Sequence, residues 1–391
     1  VSPSAFTCTD AGDNTVMLTV TDNNGNTSTC TAIVNVEDNI APTAVCQDIT
    51  VQLNTAGDAS INYSDIDNGS TDNCGIDSRS VVPNTFDCND VGTPVTVTYT
   101  VTDAAGNSDN CTATVTVEDN VNPEAICHDI TIQLDGTGNA SIVAADIDNG
   151  SNDACGVGGL SASPSLFTCA NIGANTVTLT VTDNNGNANT CNATVTVEDD
   201  EAPVFTTCPG NQNPPEGTDT DECYYTHSGT GWDAAASDNC TLASLTYVLT
   251  GDTELADAPA NTSLDGQQFN KGITTVTWTA IDGEGNSQTC SFTVTVNDDQ
   301  NPSAVCQAYT AYLEKDGDVE VVPADIDNIS SNNCGIDTYE LSKDNTNFYS
   351  SLTYDCSEIG TPTIYLRVTD AAGLSNTCTA TLTVADNQAP T

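Results

Sequence analysis

Basic residues are almost absent from this sequence. Only 5 of its 391 residues are Lys or Arg, whereas 55 are Asp or Glu, so the formal net charge at pH 7 is −50. Nucleic acids and anionic membrane surfaces are bound through basic patches. The composition therefore argues strongly against nucleic acid and against anionic membranes as partners.

Long apolar runs and helical periodicity are missing as well. Hydrophobic residues make up 37% of the chain and aromatic residues only 5%. Many of the apolar residues are Val and Ile, they alternate with Thr, and this pattern is typical of β-strands. No stretch is long enough to insert into a membrane. With 391 residues the chain is too long to fold around a single hydrophobic core, and its length fits several domains of about 100 residues each.

Cysteine, by contrast, is abundant, with 18 residues and no Cys-x-x-Cys pair. Only two histidines accompany them, so zinc sites are disfavoured. Disulfides are the better interpretation, and they form outside the reducing cytosol. We expect a secreted protein of the extracellular space or the cell surface.

An acidic motif that leads through a proline to a cysteine divides the chain. "VEDNIAPTAVC" at 36–46 returns at 117–127, 197–208 and 296–306, and "VADNQAP" follows near the end. The predicted units are a half repeat at 1–39, whole repeats at 40–119, 120–199, 200–298 and 299–386, and the start of another at 387–391. Because the sequence begins inside a repeat and shows no signal peptide, we expect it to be part of a longer chain.

Each unit reads as a set of short strands. "VTVTYTVTDAAGNSDNCTATVTVED" at 95–119 is a pair of alternating strands joined at Asp-x-x-Gly-Asn, which predicts a hairpin. "DITVQLNTAGDASINYSDID" at 48–67 reads as two further strands around a turn. About seven strands in roughly 80 residues predict an immunoglobulin-like β-sandwich. The expected fold class is all-β, with tandem immunoglobulin-like domains in a linear, rod-like array.

These motifs resemble the hyalin-repeat (HYR) family of immunoglobulin-like modules. The shared features are a proline followed by a cysteine on the first strand, "D-N-C" in the middle and "T-D-x-x-G-N-x-x-x-C" near the end. The unit at 200–298 is the most similar, with "CPGNQ", "SDNC" and "FNKGITTVTWTAIDGEGNSQTCSFTVTV". The other units resemble repeats of very large bacterial surface adhesins, including those of gliding bacteria. The resemblance covers essentially the whole chain and implies extracellular adhesion or structure.

Three of the four cysteine positions in each unit are constant, which suggests a pairing. In an immunoglobulin-like sandwich the first strand can lie parallel beside the last, so the first expected set is Cys46–Cys111, Cys127–Cys191, Cys208–Cys290 and Cys306–Cys378. The second expected set is Cys74–Cys88, Cys155–Cys169, Cys223–Cys240 and Cys334–Cys356. Four cysteines allow three connectivities, so other pairings stay open. Cys8 and Cys30 are then left for partners upstream of residue 1.

The topology also predicts that acidic loops meet the acidic linker at each interdomain joint. Carboxylates a few Å apart repel, and Ca²⁺ relieves this by taking 6–8 oxygen ligands. The candidate ligands are Glu37, Asp38, Asp65, Asp67, Asp72, Asp103 and Asn107 at the first joint; Glu118, Asp119, Asp146, Asp148, Asp153, Asp183 and Asn187 at the second; Glu198, Asp199, Asp233, Asp238 and Asp282 at the third; and Asp298, Asp299, Asp325, Asp327 and Asp370 at the fourth.

The calcium hypothesis differs from joint to joint and has an alternative. At the fourth joint Asn332 and Asn333 replace the aspartate in the middle of the unit, so we expect weaker binding or fewer ions there. The alternative is that Asp-Asn-Gly clusters simply form turns and keep the surface soluble. No EF-hand loop is present. The prolines after the acidic residues restrict the linkers further.

The sequence favours a structural function over the alternatives. We expect a segment of an extracellular stalk, fibre or giant surface adhesin, with Ca²⁺ as partner and copies of the chain or surface glycans as further candidate partners. The alternatives are a glycan- or protein-binding module, with 200–298 as the best candidate, and a subunit of a self-assembling filament. Trp232 and Trp278 in that unit are interpreted as core residues rather than a sugar platform. His128 and His227 lie in different units without a catalytic set, so we predict that the protein is not an enzyme.

Overall fold

The computed structural model describes residues 1–257 and 260–388. By its internal contacts the chain divides into two compact units. One comprises residues 1–133 and 139–198, and the other comprises residues 134–138 together with the chain from residue 199 on. No helix among the described residues is long and apolar enough to cross a membrane. Residues 389–391, where part of the expected further repeat falls, lie outside the described residues.

The first 39 residues form a single hairpin. After a 3-10 turn at Cys8–Asp10, strand β1 (Gly12–Thr21) pairs along its whole length with β2 (Thr27–Val36). The described residues contain no second layer over this hairpin, and most of its large apolar side chains are exposed, Val20 by 59% and Ile33 by 70%, whereas Val16 is buried.

Residues 40–119 contain a complete set of strands in two sheets. The elements are β3 (Ile49–Gln52), β4 (Asp58–Ser60), helix α1 (Tyr63–Ile66), β5 (Ile76–Val82), β6 (Thr85–Asp87), a 3-10 turn (Cys88–Asp90), β7 (Val95–Asp103) and β8 (Ser108–Glu118). The larger sheet has the order β3-β8-β7-β5, and β4 pairs with β6. As expected, the first strand lies parallel beside the last, with Ile49 opposite Val115.

Alternation along the long strands builds the core. Val97, Tyr99 and Val101 of β7 are fully buried, while the threonines between them face outward to varying degrees. Phe86 from the smaller sheet packs against the same cluster. Each large apolar side chain buried in this way contributes about 1.5–3 kcal/mol, which a thin core of few aromatic residues needs.

Residues 120–199 and 299–386 repeat this arrangement. The first of them contains β9 (Ile130–Gln133), β10 (Asn139–Ser141), β11 (Val157–Ser163), β12 (Leu166–Thr168), β13 (Gly173–Asp183) and β14 (Ala188–Glu198), with 3-10 turns at Ala144–Asp146 and Cys169–Asn171. The second contains β23 (Tyr309–Tyr312), β24 (Asp318–Val321), α2 (Pro323–Ile326), β25 (Ile336–Ser342), β26 (Leu352–Asp355), a 3-10 turn at Cys356–Glu358, β27 (Thr363–Asp370) and β28 (Ser375–Ala385).

The described residues of 200–298, which leave out 258–259, form eight strands. They are β15 (Val204–Thr207), β16 (Glu216–Gly217), β17 (Tyr224–Thr226), β18 (Ala235–Ser237), β19 (Leu242–Gly251), β20 (Gln268–Asn270), β21 (Gly272–Asp282) and β22 (Ser287–Asn297). The main sheet has the order β16-β22-β21-β19. Trp232 and Trp278 belong to its buried core, as expected, so neither offers an open platform for a sugar.

The strand prediction was wrong in two details. The segment before β3 forms only isolated bridges, such as Thr43 opposite Thr71, because Pro42 beside it has no N–H for a ladder. The segment 48–67 contains both expected strands, β3 and β4, but it ends in the helical turn α1, in which the Asp65 carboxylate accepts the backbone N–H of Asn62 at 2.7 Å. Three of the four complete domains therefore have six strands rather than seven.

The first set of disulfides agrees with the expectation. The structure contains Cys46–Cys111, Cys127–Cys191, Cys208–Cys290 and Cys306–Cys378. In three of the pairs the first cysteine lies just before the strand that runs parallel to the last strand. In the 200–298 domain Cys208 lies between β15 and the parallel strand β16. The second cysteine of every pair lies on the last strand of the same domain. These bridges close each sandwich on itself.

The second set was wrong, because these cysteines join neighbouring domains. The bonds are Cys8–Cys74, Cys88–Cys155 and Cys223–Cys334, which replace the expected Cys74–Cys88, Cys155–Cys169, Cys223–Cys240 and Cys334–Cys356. Cys8 thus has a downstream partner rather than an upstream one. Cys169 and Cys240 are also disulfide-bonded, whereas Cys30 and Cys356 are free and exposed.

The strand register gives the reason for this correction. Cys74 precedes β5, whose Ile76 lies opposite Asp103 at the end of β7. Cys88 precedes β7, so it lies at the opposite end of the same sandwich. A disulfide requires Cα atoms less than about 7 Å apart, so the two cannot meet within one domain. Each instead reaches the adjoining domain, and the Cα atoms of Cys88 and Cys155 are 5.2 Å apart.

Candidate metal centres at the domain entrances

Three carboxylates meet where the linker enters the 40–119 domain. Asp38 comes from the linker, Asp72 from the loop before β5, and Asp103 from the end of β7. One oxygen of each lies within 4.8 Å of the others. We call this group the first centre.

An asparagine fastens the hairpin of the first centre to the linker. The Asn107 side chain donates to the Asp103 carboxylate at 2.9 Å and to the backbone carbonyl of Asp38 at 2.8 Å. The Asn107 backbone N–H also donates to Asp103 at 2.8 Å. These hydrogen bonds from Asn107 lower the pKa of Asp103, so its carboxylate is charged at neutral pH.

The first centre also contains a buried oxygen without a partner. Asp72 Oδ1 accepts the backbone N–H of Cys74 at 2.7 Å. Asp72 Oδ2 is buried and makes no hydrogen bond within the described residues. A buried carboxylate oxygen is normally paired, because leaving it unpaired costs free energy.

The second centre lies at the entrance of the 120–199 domain. Oxygens of Asp119 and Asp153 and the sulfur of Cys155 lie within 4.8 Å of one another. Since that sulfur is bonded to Cys88, it is not a thiolate, and the two aspartates are the anionic donors. Asp119 is only 7% exposed; its Oδ1 accepts the Val121 N–H at 3.0 Å, and its Oδ2 has no hydrogen-bond partner within the described residues.

The hairpin beside the second centre repeats the asparagine contact. The Asn187 side chain donates to Asp183 at 2.8 Å and to the Asp119 carbonyl at 3.0 Å. Burial is the largest influence on the pKa of Asp183 and raises it, but the hydrogen bonds from Asn187 and neighbouring amides outweigh burial and lower the pKa overall. Asp183 is therefore charged, although it lies outside the 4.8 Å group.

The third centre lies at the start of the 200–298 domain and consists of Asp199, Asp238 and Asp282. Asn286 donates from its side chain to Asp282 and to the Asp199 carbonyl, both at 2.9 Å. Asp238 Oδ2 is buried without a hydrogen-bond partner in the described part of the chain. Burial is the largest single influence on the pKa of Asp282 and raises it. The hydrogen bonds from Asn286 and nearby amides together have the greater effect, so the pKa is lowered overall.

The entrance of the 299–386 domain departs from this pattern. No group of three carboxylates forms there among residues 1–257 and 260–388. Asn332 stands where the other domains have Asp72, Asp153 or Asp238, and Leu374 stands where they have the hairpin asparagine. The expected fourth centre therefore retains Asp298 and Asp370 without the third acidic side chain.

Many of the other predicted ligands are used inside their own domains. Asp65, Asp146 and Asp325 accept the backbone N–H at the start of a helical turn. Asp67, Asp148 and Asp327 each accept a serine N–H three residues on. Asp233 accepts from Ser263 and Leu264.

The remaining predicted ligands do not belong to the three groups of carboxylates found among the described residues. Glu118 and Glu198 accept hydrogen bonds from Gln52 and Gln133 at 2.7 and 2.9 Å. Glu37 and Asp299 are exposed. The second residue of each Glu-Asp pair, rather than the first, therefore reaches the centre.

Sequence reasoning missed Asn286 and the role of the neighbouring cysteines. A signal was available, because Asp72, Asp153 and Asp238 each precede a cysteine by two residues. In all three places the cysteine N–H fixes one aspartate oxygen and leaves the other free. The same cysteines carry cross-links, so a ligand position and a covalent anchor share one short motif.

The donor set of these centres fits a hard divalent cation. Charged aspartates gathered within a few Å repel one another, and several are buried with an unpaired oxygen. Ca²⁺ takes carboxylate, amide and carbonyl oxygens in flexible geometry, whereas Zn²⁺ prefers thiolate or imidazole ligands, which these groups lack. The residues present therefore match Ca²⁺ better than a transition metal.

Comparisons with known proteins agree with the repeat pattern. Residues 37–117 and 198–296 match the family model of the HYR domain. Hyalin of Strongylocentrotus purpuratus is 31% identical in an alignment of 314 residues that covers 75% of this chain and 24% of hyalin. The chain thus spans about a quarter of the length of that curated relative.

Solved structures of tandem extracellular cadherin domains and tandem immunoglobulin domains also align with the chain. Extracellular cadherin domains 1–5 of protocadherin gamma B2 align with a TM-score of 0.29 at 12% identity, covering 96% of this chain and 87% of that one. The four N-terminal immunoglobulin domains of Dscam1 align with a TM-score of 0.26 at 10% identity, covering 89% and 100%. The resemblance to bacterial adhesins stays a prediction from the motifs. The chain carries HYR-type repeats, at 37–117 and 198–296, within a tandem array of β-sandwich domains.

Proposed function

We propose that this chain is a structural segment of an extracellular stalk, fibre or surface adhesin whose domain entrances bind Ca²⁺. The observation that carries the proposal is the repeated centre of buried aspartates beside an interdomain disulfide. In the second centre, Asp119 and Asp153 lie next to the Cys88–Cys155 bond. A site that recurs from domain to domain suits scaffolding, and catalysis is not proposed.

Calcium supplies the positive charge that lets the acidic linker lie against the acidic loops. Asp119 and Asp153 would hold the ion through the oxygens that their backbone hydrogen bonds leave free. Asn187 keeps the linker carbonyl of Asp119 against the hairpin. The disulfide limits how far the two domains separate, and the ion limits how they swing about that tether.

The number and type of disulfides support an extracellular location. Both the intradomain and the interdomain bridges need an oxidising compartment to persist. The charge of −50 keeps such a surface soluble and repels anionic membranes. Adhesion to glycans or to copies of the chain remains a prediction, and the buried positions of Trp232 and Trp278 give it no support.

Small-angle X-ray scattering of the whole chain tests the proposal. In millimolar Ca²⁺ we expect a narrow distribution of shapes, and after chelation a broader one, because the entrances loosen. The double variant Asp119→Asn/Asp153→Asn should show part of this loosening in Ca²⁺. Identical profiles with and without Ca²⁺ would refute the calcium role and leave turn formation and solubility as the function of the acidic residues.

A further inference from the structure

The entrance of the 299–386 domain has a lysine ammonium beside its linker aspartate and lacks the third acidic side chain that the first and third centres have. Asp298 corresponds to Asp38, Asp119 and Asp199 in the repeated motif. Its side chain is fully buried, and its Oδ2 accepts no hydrogen bond within the described residues. The Lys271 Nζ lies 3.6 Å from this oxygen. The chain has only 5 basic residues, so this placement is unusual for it.

The position of Lys271 in the repeat explains how it reaches the entrance. Lys271 follows Phe269 by two residues, as Cys88 follows Phe86. Cys88 projects from the far end of its domain to the second centre, where it bonds to Cys155. In the 200–298 domain the cross-link is made by Cys223 instead, and the Lys271 N–H donates to the carbonyl of Cys223 at 3.2 Å. A lysine therefore stands where the other complete domains have a cysteine, at Cys88, Cys169 and Cys356.

The rest of this entrance is satisfied by amides rather than by carboxylates. Asn332 donates to the Gln300 carbonyl at 3.1 Å and to Asp370 Oδ2 at 3.4 Å. The Gln300 side chain donates to the Asp219 carbonyl at 2.6 Å. Asn333 donates to the Glu222 carbonyl at 2.8 Å. The bonds from Gln300 and Asn333 join the two domains directly.

We propose that the Lys271 ammonium is a built-in counter-ion that replaces Ca²⁺ at this entrance and makes it independent of calcium. The inference rests on the proposed function of the other centres. The first and third centres each gather three carboxylates, whereas this entrance has two, those of Asp298 and Asp370. The Lys271 ammonium lies beside Asp298, and the Asn332 amide donates to Asp370. A divalent ion at Asp298 would be repelled by the ammonium 3.6 Å away. Such an entrance stays closed when calcium is removed.

Hydrogen exchange of the whole chain, followed by mass spectrometry, tests this entrance beside the others. The linker amides at 298–304 should exchange equally in Ca²⁺ and in chelator, whereas those at 38–43 and 119–124 should accelerate about tenfold or more in chelator. Lys271→Met should accelerate 298–304 in both conditions. Lys271→Met/Asn332→Asp should restore protection in Ca²⁺ only, since it recreates the acidic centre. Lys343→Met, at the lysine that pairs with Glu358, is the matched control and should leave all linkers unchanged.

The outcomes separate this inference from the calcium proposal. Acceleration of 298–304 in chelator together with the other linkers would overturn the role of Lys271 and leave the calcium proposal intact. If no linker responds to chelator, the calcium proposal fails. In that case the Lys271→Met arm still decides the counter-ion, because unchanged exchange at 298–304 would overturn it.

Discussion

Cys88 and Cys155 belong to successive domains and are joined by a disulfide with their Cα atoms 5.2 Å apart. The backbone N–H of Cys155 donates to Asp153 at 2.8 Å, so the covalent anchor also orients a carboxylate of the second centre. The same spacing recurs at Asp72 and Cys74, where the bond leads back to Cys8. These interdomain disulfides and acidic centres are thus built from the same short Asp-x-Cys segments.

Disulfide mapping should confirm the interdomain pairing of these cysteines. Digestion without reductant is expected to yield a peptide containing Cys88 linked to one containing Cys155. Because the bridge closes a long loop, the variant Cys88→Ala/Cys155→Ala should lose about 2–4 kcal/mol of unfolding free energy, measured by thermal or denaturant unfolding. A Cys74–Cys88 peptide in the digest would contradict the arrangement.

The asparagine contact predicts an effect on calcium affinity without loss of a charge. Asn187→Leu removes the side-chain donor to the Asp119 carbonyl and to Asp183, and the 299–386 domain carries leucine at the equivalent position, Leu374. The loss of hydrogen bonds worth about 1–2 kcal/mol should weaken Ca²⁺ binding at the second centre roughly tenfold in calorimetric titration. Asn185→Leu is the control, since only its backbone contacts Asp183. Equal affinities for both variants would contradict this role.

His227 predicts a pH dependence that does not involve the metal centres. The His227 ring is buried and stacks on Trp232, with ring centroids 3.8 Å apart. Burial lowers the pKa of His227. The hydrogen bond with Gly229 and the charges of Asp233, Asp265 and Glu216 raise it by less. The unfolded chain, with the ordinary value of 6.5, then takes up the proton first. As pH falls through 6.5, the unfolding free energy of the 200–298 domain should decrease; above that value this contribution is constant.

The variant His227→Phe isolates this contribution. It keeps an aromatic ring against Trp232 but cannot titrate. Denaturant unfolding at pH 7 and at pH 5 should show a larger loss of stability in the natural chain than in the variant. If the two lose the same free energy, other groups account for the acid sensitivity.

The fold was predictable because its signal is local and repeated. Alternation in β7 and β8, with turn residues at Asp103 to Asn107, predicts a hairpin with one buried face, and the structure has it. The parallel pairing of the first and last strands followed from the immunoglobulin-like topology and placed Cys46 against Cys111.

The rest depended on which end of the sandwich each residue occupies. Cys74 and Cys88 are close in sequence, but the antiparallel course of β5 and β7 puts them at opposite ends. Asp65 was expected at the entrance because the topology places the end of the second strand there, yet its carboxylate caps the helical turn α1. Charge alone could not distinguish a capping aspartate from one with an unpaired oxygen, since that difference lies in the backbone around each residue.

The calcium content of the chain at saturation tests the central claim most directly. After equilibrium dialysis in Ca²⁺, the natural chain should retain at least one ion for each of the three centres, and chelation should remove them. Asp153→Asn should lose the ion of the second centre, whereas Asp148→Asn, at an aspartate that serves its own domain, should retain the full number. A natural chain that retains no ion, or an Asp153→Asn variant that retains as many as the natural chain, would contradict the account.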